Sequence, residues 1–204
     1  MKAALILGNV CNILDEYLKD RVLIGVDKGA YLAYTKGIHL DIAIGDFDSI
    51  SEAMLECVYK NSDRVIRLNP VKDLTDTAEA IALCRDYSDI LIIGGIEGKR
   101  IEHFLANLIL LKNDKRISMV DDNSKIETHE ESFIPASSYK YLSFFSVEKE
   151  SIITLKGFKY ELNSYILKDN DALCISNEIV TNPEVVIRKG RILAIYSNND
   201  HEKI

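Results

Sequence analysis

Between the N-terminus and Asp121, strand-like and helix-like stretches alternate six times with short links, and this constrains the fold more than any other feature. Apolar runs occupy 3–7, 22–26, 42–44, 64–68, 90–93 and 117–120. Helical patterns cover 11–20, 31–36 with Gly37 as C-cap, Ser49 or Ser51 to about 60, about 74–87, and 101–112. Such alternation predicts an α/β doubly wound, mostly parallel sheet of about six strands. From about residue 125 the pattern changes. Short runs rich in Tyr, Ile, Val, Phe and Thr are separated by Pro135, Lys156-Gly157, Asp169-Asn170-Asp171, Asn182-Pro183 and Lys189-Gly190. These predict an all-β, sandwich or barrel-like domain, with a hairpin over 185–196 turning on Lys189-Gly190. The domains are therefore expected at 1–123 and 124–204.

Within the first domain, the stretch from Asp41 to Ser49 ends an apolar run in Gly45 and then delivers Asp46 and Asp48. If the run is a buried strand, alternate residues point the same way, so both carboxylates leave its C-terminal edge on one side. In open α/β sheets ligands bind at that edge. Two anions so close repel unless a cation sits between them or one takes up a proton. Hard divalent cations held by carboxylates commonly carry phosphates, so the pair predicts a magnesium-phosphate site.

Three further segments belong with it. Lys72-Asp73-Leu74-Thr75-Asp76 follows the fourth run, with Asp73 placed to cap the next helix and Asp76 in its first turn. Asp and Thr at a helix start need no function by themselves. Their arrival at the edge that carries Asp46 and Asp48, with Lys72 as a phosphate partner, favours a shared site. Gly94-Gly95-Ile96-Glu97-Gly98-Lys99-Arg100 then leads into a helix bearing Glu102, His103 and Asn107. Glycines after a strand let backbone amides approach an anion. At ~100° per residue, Arg100, His103 and Asn107 span about 60° of arc, beside an apolar side formed by Ile101, Phe104, Leu105 and Leu108. A buried His-Asn pair bracing nearby loops would look the same. Asp27-Lys28-Gly29 after the second run is a weaker candidate for a ribose or base contact, or a helix cap. In the β half, Ile175-Ser176-Asn177-Glu178 interrupts an apolar run with polar groups.

Composition bounds the alternatives. A chain of 204 residues, 47% hydrophobic and 28% charged, has ample length for a core. A net charge of −7 without a basic patch argues against a nucleic-acid partner. No stretch approaches the ~20 apolar residues of a membrane span, and the first apolar run is too short for a signal peptide. A cytoplasmic protein is expected. Cys11, Cys57, Cys84 and Cys174 lie far apart without a C-x-x-C pair, and Cys84 and Cys174 read as buried free thiols.

Together these residues resemble the thiamin pyrophosphokinase (thiamine diphosphokinase) family. The likeness runs through Asp27-x-Gly29-Ala30, Gly45-Asp46-Phe47-Asp48-Ser49, Lys72-Asp73-x-Thr75-Asp76, and Gly94-Gly95 to Arg100, His103 and Asn107. It continues through Leu155-x-Gly157-Phe158-Lys159-Tyr160-x-Leu162, Ser176-Asn177-Glu178 and Gly190-x-Ile192-Leu193, so it spans nearly the whole chain in order. The resemblance implies diphosphate transfer from ATP to the hydroxyl of thiamine, with magnesium, releasing AMP. It implies a homodimer whose interface completes the thiamine pocket. Carried over, Asp46, Asp48, Asp73 and Asp76 hold magnesium and the triphosphate and, with Arg100, form the catalytic set. Asp27, Gly29, Lys72, Thr75, Gly95, Arg100, His103 and Asn107 contact the nucleotide, and Ser176 and Asn177 contact thiamine. Asp76 or Asp48 takes the hydroxyl proton.

Three departures stand out. Glu102 replaces the family's Asp, Lys28 and Lys99 replace small residues, and no Trp is present to stack on thiamine. One rival reading keeps the fold but only binds thiamine or its diphosphate, with Glu102 marking weakened catalysis. A haloacid-dehalogenase phosphatase also carries Asp-x-Asp after a strand, but after the first strand rather than the third.

Overall fold

The computed structural model describes residues 1–8, 10, 12–71, 73–96, 100–136 and 138–198. It divides into two compact units, Met1–Asp122 and a second beginning at Asn123. The first is a sheet with helices. The second is rich in strands.

In chain order the first unit contains β1 (Lys2–Ile6), α1 (Asp15–Leu18), β2 (Val22–Val26), α2 (Lys28–Thr35), β3 (Leu40–Gly45) and α3 (Glu52–Lys60). Then come β4 (Ser62–Arg67), α4 (Asp76–Leu83), β5 (Asp89–Ile93), α5 (Ile101–Asn113) and β6 (Ile117–Val120). The strands lie in the order β6-β5-β1-β2-β3-β4, and each pairing is parallel. Central strands covered on both faces are apolar throughout. Accordingly Ala3, Ala4, Leu5 and Ile6 are fully buried, as are Ile90, Ile92 and Ile93. From β1 the chain steps outward to β4, then returns to place β5 on the other side of β1. The direction of winding therefore reverses between β1 and β5, and such switch points open a crevice at the carboxyl edge.

Two helices are shorter than their sequence patterns. α1 is one turn, because it has no side-chain cap and Asp20 follows it at φ 57°. Ile13, Tyr17 and Leu18 nevertheless pack on the core. α4 starts at Asp76 because Thr75, not Asp73, is the cap: its Oγ1 accepts from the Ala78 N–H at 3.2 Å. At the other end the Arg116 guanidinium takes the carbonyls of Cys84, Arg85 and Tyr87 at 3.1, 2.7 and 2.9 Å. Those oxygens point to a side chain instead of continuing the helix. Ser51 caps α3.

The second unit contains β7 (Ser124–His129), β8 (Tyr141–Ser146), β9 (Glu150–Phe158), β10 (Leu162–Lys168), β11 (Asn177–Lys189) and β12 (Ile192–Ser197). The order is β10-β9-β11-β8-β12-β7, and the pairings are antiparallel. β11 changes partner along its length, pairing through Asn177 and Glu178 with β8 and through Ile179 onward with β9. This corrects the expected hairpin at Lys189-Gly190. β11 and β12 do not pair there; β12 inserts between β7 and β8. Gly190, at φ 80°, turns the chain against Glu150 and Ser151, where a Cβ would stand 2.6 Å from Ser151 Oγ. The turn is a corner between partners. Phe144 of β8 meets Phe158 of β9 edge-on at 5.9 Å, so strands that do not pair share one core.

Cys84 and Cys174 are buried and free, and burial pushes both thiols up to about 11. Cys11 lies outside the described residues. Among the described residues no helix is long and apolar enough to cross a membrane.

Candidate active site

The carboxyl ends of β2 and β3, which are neighbours, deliver the first acidic groups. β3 ends at Gly45, so Asp46 and Asp48 lie beyond the strand, and strand alternation is not what aligns them. A turn does so instead: the Asp48 backbone N–H donates to Asp46 Oδ1 at 3.1 Å. Between them Phe47 sits at φ 59°, a left-handed conformation that is unusual for a bulky residue. Its ring is 3% exposed and belongs to the core of the sheet. Burial of that ring, worth ~1.5–3 kcal/mol, offsets a backbone cost of ~1–3 kcal/mol. Phe47 is a site residue that the sequence reading did not single out. The available signal was a large apolar residue between two aspartates.

Asp27 follows β2 at φ 50° and ψ −121° and caps no helix N–H with its side chain. Ser49 Oγ donates to its Oδ2 at 3.1 Å, tying the two loops together. Its Oδ1 is buried and makes no hydrogen bond among the described residues. Burial raises the Asp27 pKa above its ordinary 3.8; the Ser49 bond opposes this, while Asp76, Asp46 and Asp48 push the same way. Four carboxylates, from two loops and the first turn of α4, therefore crowd one region. Gly29, expected at the nucleotide, has a structural reason to be glycine: a Cβ would lie 1.9 Å from the Ile6 carbonyl oxygen. It lets α2 sit directly on β1.

β4 runs beside β3 and leads to α4. Asp76 is half-buried in the first turn of α4, whereas Asp73 is exposed before it and is not among the carboxylates acting on Asp27. Lys72 lies outside the described residues, as do Glu97, Gly98 and Lys99 of the glycine turn. Gly94 and Gly95 stand at φ 89° and 77° after β5, at the switch point. A Cβ on Gly94 would lie 2.9 Å from Gly8 O, and one on Gly95 would lie 2.9 Å from Asn107 Nδ2.

Asn107 is 4% exposed, but Arg100 and His103 are exposed, so the structure separates the three residues by depth. Arg100 Nε donates to Glu102 Oε1 at 2.7 Å, which holds the Glu102 carboxyl below its usual range. The apolar side of α5 is split, with Phe104 and Leu108 half-buried and Ile101 and Leu105 exposed. Asn107 and Leu111 are buried, while Ile101, Leu105 and Ile109 are 72%, 51% and 59% exposed.

In the second unit, Ser176 is exposed at φ 51°, and its N–H donates to Ser143 Oγ at 2.9 Å. Asn177 is 3% exposed. Its Oδ1 accepts from the Tyr160 N–H at 3.0 Å, and its Nδ2 donates to the Tyr160 carbonyl at 2.7 Å. Each polar atom of the amide, expected at thiamine, is thus bonded to the Tyr160 backbone.

Among the described residues no group of three or more His, Cys, Asp or Glu side chains is assembled as a metal cage. Magnesium does not require one, since it is commonly held by one or two carboxylates plus phosphate oxygens. The buried Asp27 oxygen beside three like charges fits a cation better than it fits an empty loop. Asp27→Asn removes that charge and keeps a side chain tolerant of positive φ. Its sign follows from the raised pKa: Asp27 favours folding below about pH 3.8 and ceases to as pH rises through its folded value. At pH 7, without cation or nucleotide, Asp27→Asn is therefore expected to raise Tm. Differential scanning calorimetry checks this, and an unchanged or lower Tm would contradict it.

The thiamin pyrophosphokinase catalytic-domain model matches residues 14–120, and the vitamin B1 binding-domain model of the same enzyme matches 125–192. The thiamine pyrophosphokinase of Bacillus subtilis (strain 168) is 33% identical over 187 residues, covering 84% of this chain and 85% of that protein. A crystal structure of thiamine pyrophosphokinase from Bacillus subtilis superposes with a TM-score of 0.84 at 30% identity, covering 98% of this chain and all (100%) of the other. A thiamin pyrophosphokinase family protein from Enterococcus faecalis gives 0.85 at 25% identity, with coverage of 98% and 100%.

Proposed function

This chain belongs to the thiamin pyrophosphokinase family, and from that premise we propose how its residues share the reaction. The chain transfers a diphosphate group from ATP to the hydroxyl of thiamine, giving thiamine diphosphate and AMP. The new bond joins the hydroxyl oxygen to the β-phosphorus. The bond from that phosphorus to the α-phosphate oxygen breaks, and AMP leaves with the electron pair. Such a transfer needs alignment and charge neutralisation more than covalent catalysis.

The crowding of Asp27, Asp46, Asp48 and Asp76 carries this assignment of the phosphate site. Asp46, Asp48, Asp73 and Asp76 would hold magnesium, which when bound neutralises phosphate charge. Arg100 counters charge on the transferring group, Thr75 and Asn107 line the nucleotide path, and the Gly94-Gly95 turn admits phosphate to the backbone. Asp48 or Asp76 takes the hydroxyl proton. The first unit serves ATP and magnesium. The second serves thiamine, and its β11, shared between β8 and β9, supports a sandwich. A cytoplasmic homodimer is the assembly proposed. The exposed row Ile101, Leu105 and Ile109 supports it, because contiguous apolar surface commonly marks contact between chains. Sedimentation velocity showing only monomer at micromolar concentration would refute it.

The deciding assay incubates the protein with ATP, thiamine and magnesium chloride and quantifies nucleotides and thiamine diphosphate by chromatography. One AMP per thiamine diphosphate is expected, with loss of both on chelation. Thiamine binding without AMP would favour the binding-only reading that Glu102 raises.

A further inference from the structure

The Asn177 clamp prompts the question of what it holds in place. One buried amide satisfies both the N–H and the carbonyl of Tyr160, 17 positions away, as a paired strand would. The segment is fixed again beside it, where the Lys159 N–H donates to the Glu178 carbonyl at 2.9 Å. The left-handed turn at Ser176, anchored on Ser143, directs Asn177 inward. Yet the residue so fixed presents its ring to water. Tyr160 is 65% exposed, whereas every other described Phe or Tyr between 125 and 192 is buried or half-buried.

A rigid backbone behind an exposed aromatic ring is the arrangement a stacking ligand needs. The ring offers a large flat face, and the clamp removes the ordering cost that binding would otherwise incur. The ring also accepts positive charge, since the Lys159 ammonium lies 5.9 Å from its centroid. Thiamine offers two flat rings, one of them cationic, and this chain has no Trp to meet them. Resting on the thiamine-kinase reading above, we propose that Tyr160 stacks on a ring of thiamine and that Asn177 is the positioning residue that holds it there.

The test combines thiamine titration by calorimetry without ATP and steady-state kinetics on Tyr160→Ala, Tyr160→Phe, Asn177→Ala, Asn177→Asp and the double alanine variant. Tyr160→Ala is expected to raise Kd and KM for thiamine about tenfold, with KM for ATP unmoved. Tyr160→Phe restores the ring and returns both toward wild type. Asn177→Ala is expected to match Tyr160→Ala, and the double variant to be no worse than either, because both act through one contact. If Asn177→Ala does not fold, Asn177→Asp, which keeps the acceptor and loses the donor, takes its place. An unchanged thiamine Kd in Tyr160→Ala, or fully additive losses, overturns the proposal. The two readings fail separately. Wild-type protein that yields no AMP sinks the reaction and leaves the titration to judge Tyr160, whereas active wild type with an indifferent Tyr160→Ala sinks the stacking alone.

Discussion

Asp46→Asn is expected to lower kcat/KM for thiamine diphosphate formation by at least about a hundredfold while leaving Tm within about 2 °C of wild type. The two halves rest on different atoms. Asn keeps an oxygen at Oδ1, so the bond from the Asp48 N–H, and with it the turn, survives. What disappears is one negative charge among carboxylates proposed to hold a cation against the triphosphate. Charge stabilisation at the transferring group is the dominant demand of phosphoryl transfer. Thiamine-dependent AMP release, measured alongside thermal unfolding, checks both halves. Unchanged turnover would remove Asp46 from the metal site. A collapse of Tm would mean that the carboxylate is structural.

Gly29→Ala is expected to act in the opposite manner, through the fold. The added Cβ would lie 1.9 Å from the Ile6 carbonyl oxygen and 2.8 Å from Leu7 Cα. Both are backbone, at the end of β1 and in the residue just after it, so no flexible side chain can swing away. Relief requires α2 to lift off the sheet, at a cost of more than about 3 kcal/mol, or ~6–12 °C in Tm for a chain of this length. Gly37 supplies the control: it sits at φ 68° with nothing within 4 Å of a would-be Cβ. Gly37→Ala meets only the conformational penalty of ~1 kcal/mol. Thermal unfolding followed by far-UV circular dichroism separates the two, and equal losses would refute the packing argument. Because Asp27 stands two residues before Gly29, Gly29→Ala should also weaken ATP binding in whatever fraction folds.

The parallel half of the molecule was legible because its signal is local. Strands buried on both faces must be apolar along their length, and 3–7 and 90–93 show that directly. The acidic residues were legible for a similar reason, since each follows a recognisable apolar run. Partner choice was not legible. The 185–196 stretch looks like a hairpin because a glycine turn joins two apolar runs. Whether they pair depends on β9, β8 and β7, which lie elsewhere in the sequence and compete for the same edges. Asn177 shows the same limit at one side chain. Its pattern reads only as polar groups interrupting an apolar run, and the Tyr160 backbone, distant in sequence, is what the buried amide meets. In helix α5 periodicity identifies an apolar side without saying what that side meets, and Ile101 and Leu105 are exposed while Phe104 and Leu108 are half-buried.

Phe47 links the mobility of the acidic turn to that of the whole sheet. A residue at φ 59° whose ring is buried cannot relax while the ring stays in the core. The Asp46–Asp48 turn therefore has no private opening equilibrium, unlike an ordinary surface loop. In hydrogen-exchange terms its amides should belong to the slow cooperative unit of β3, although Asp48 and Ser49 are exposed. The carboxylates would then keep their spacing between turnovers and lose it only when the sheet itself opens.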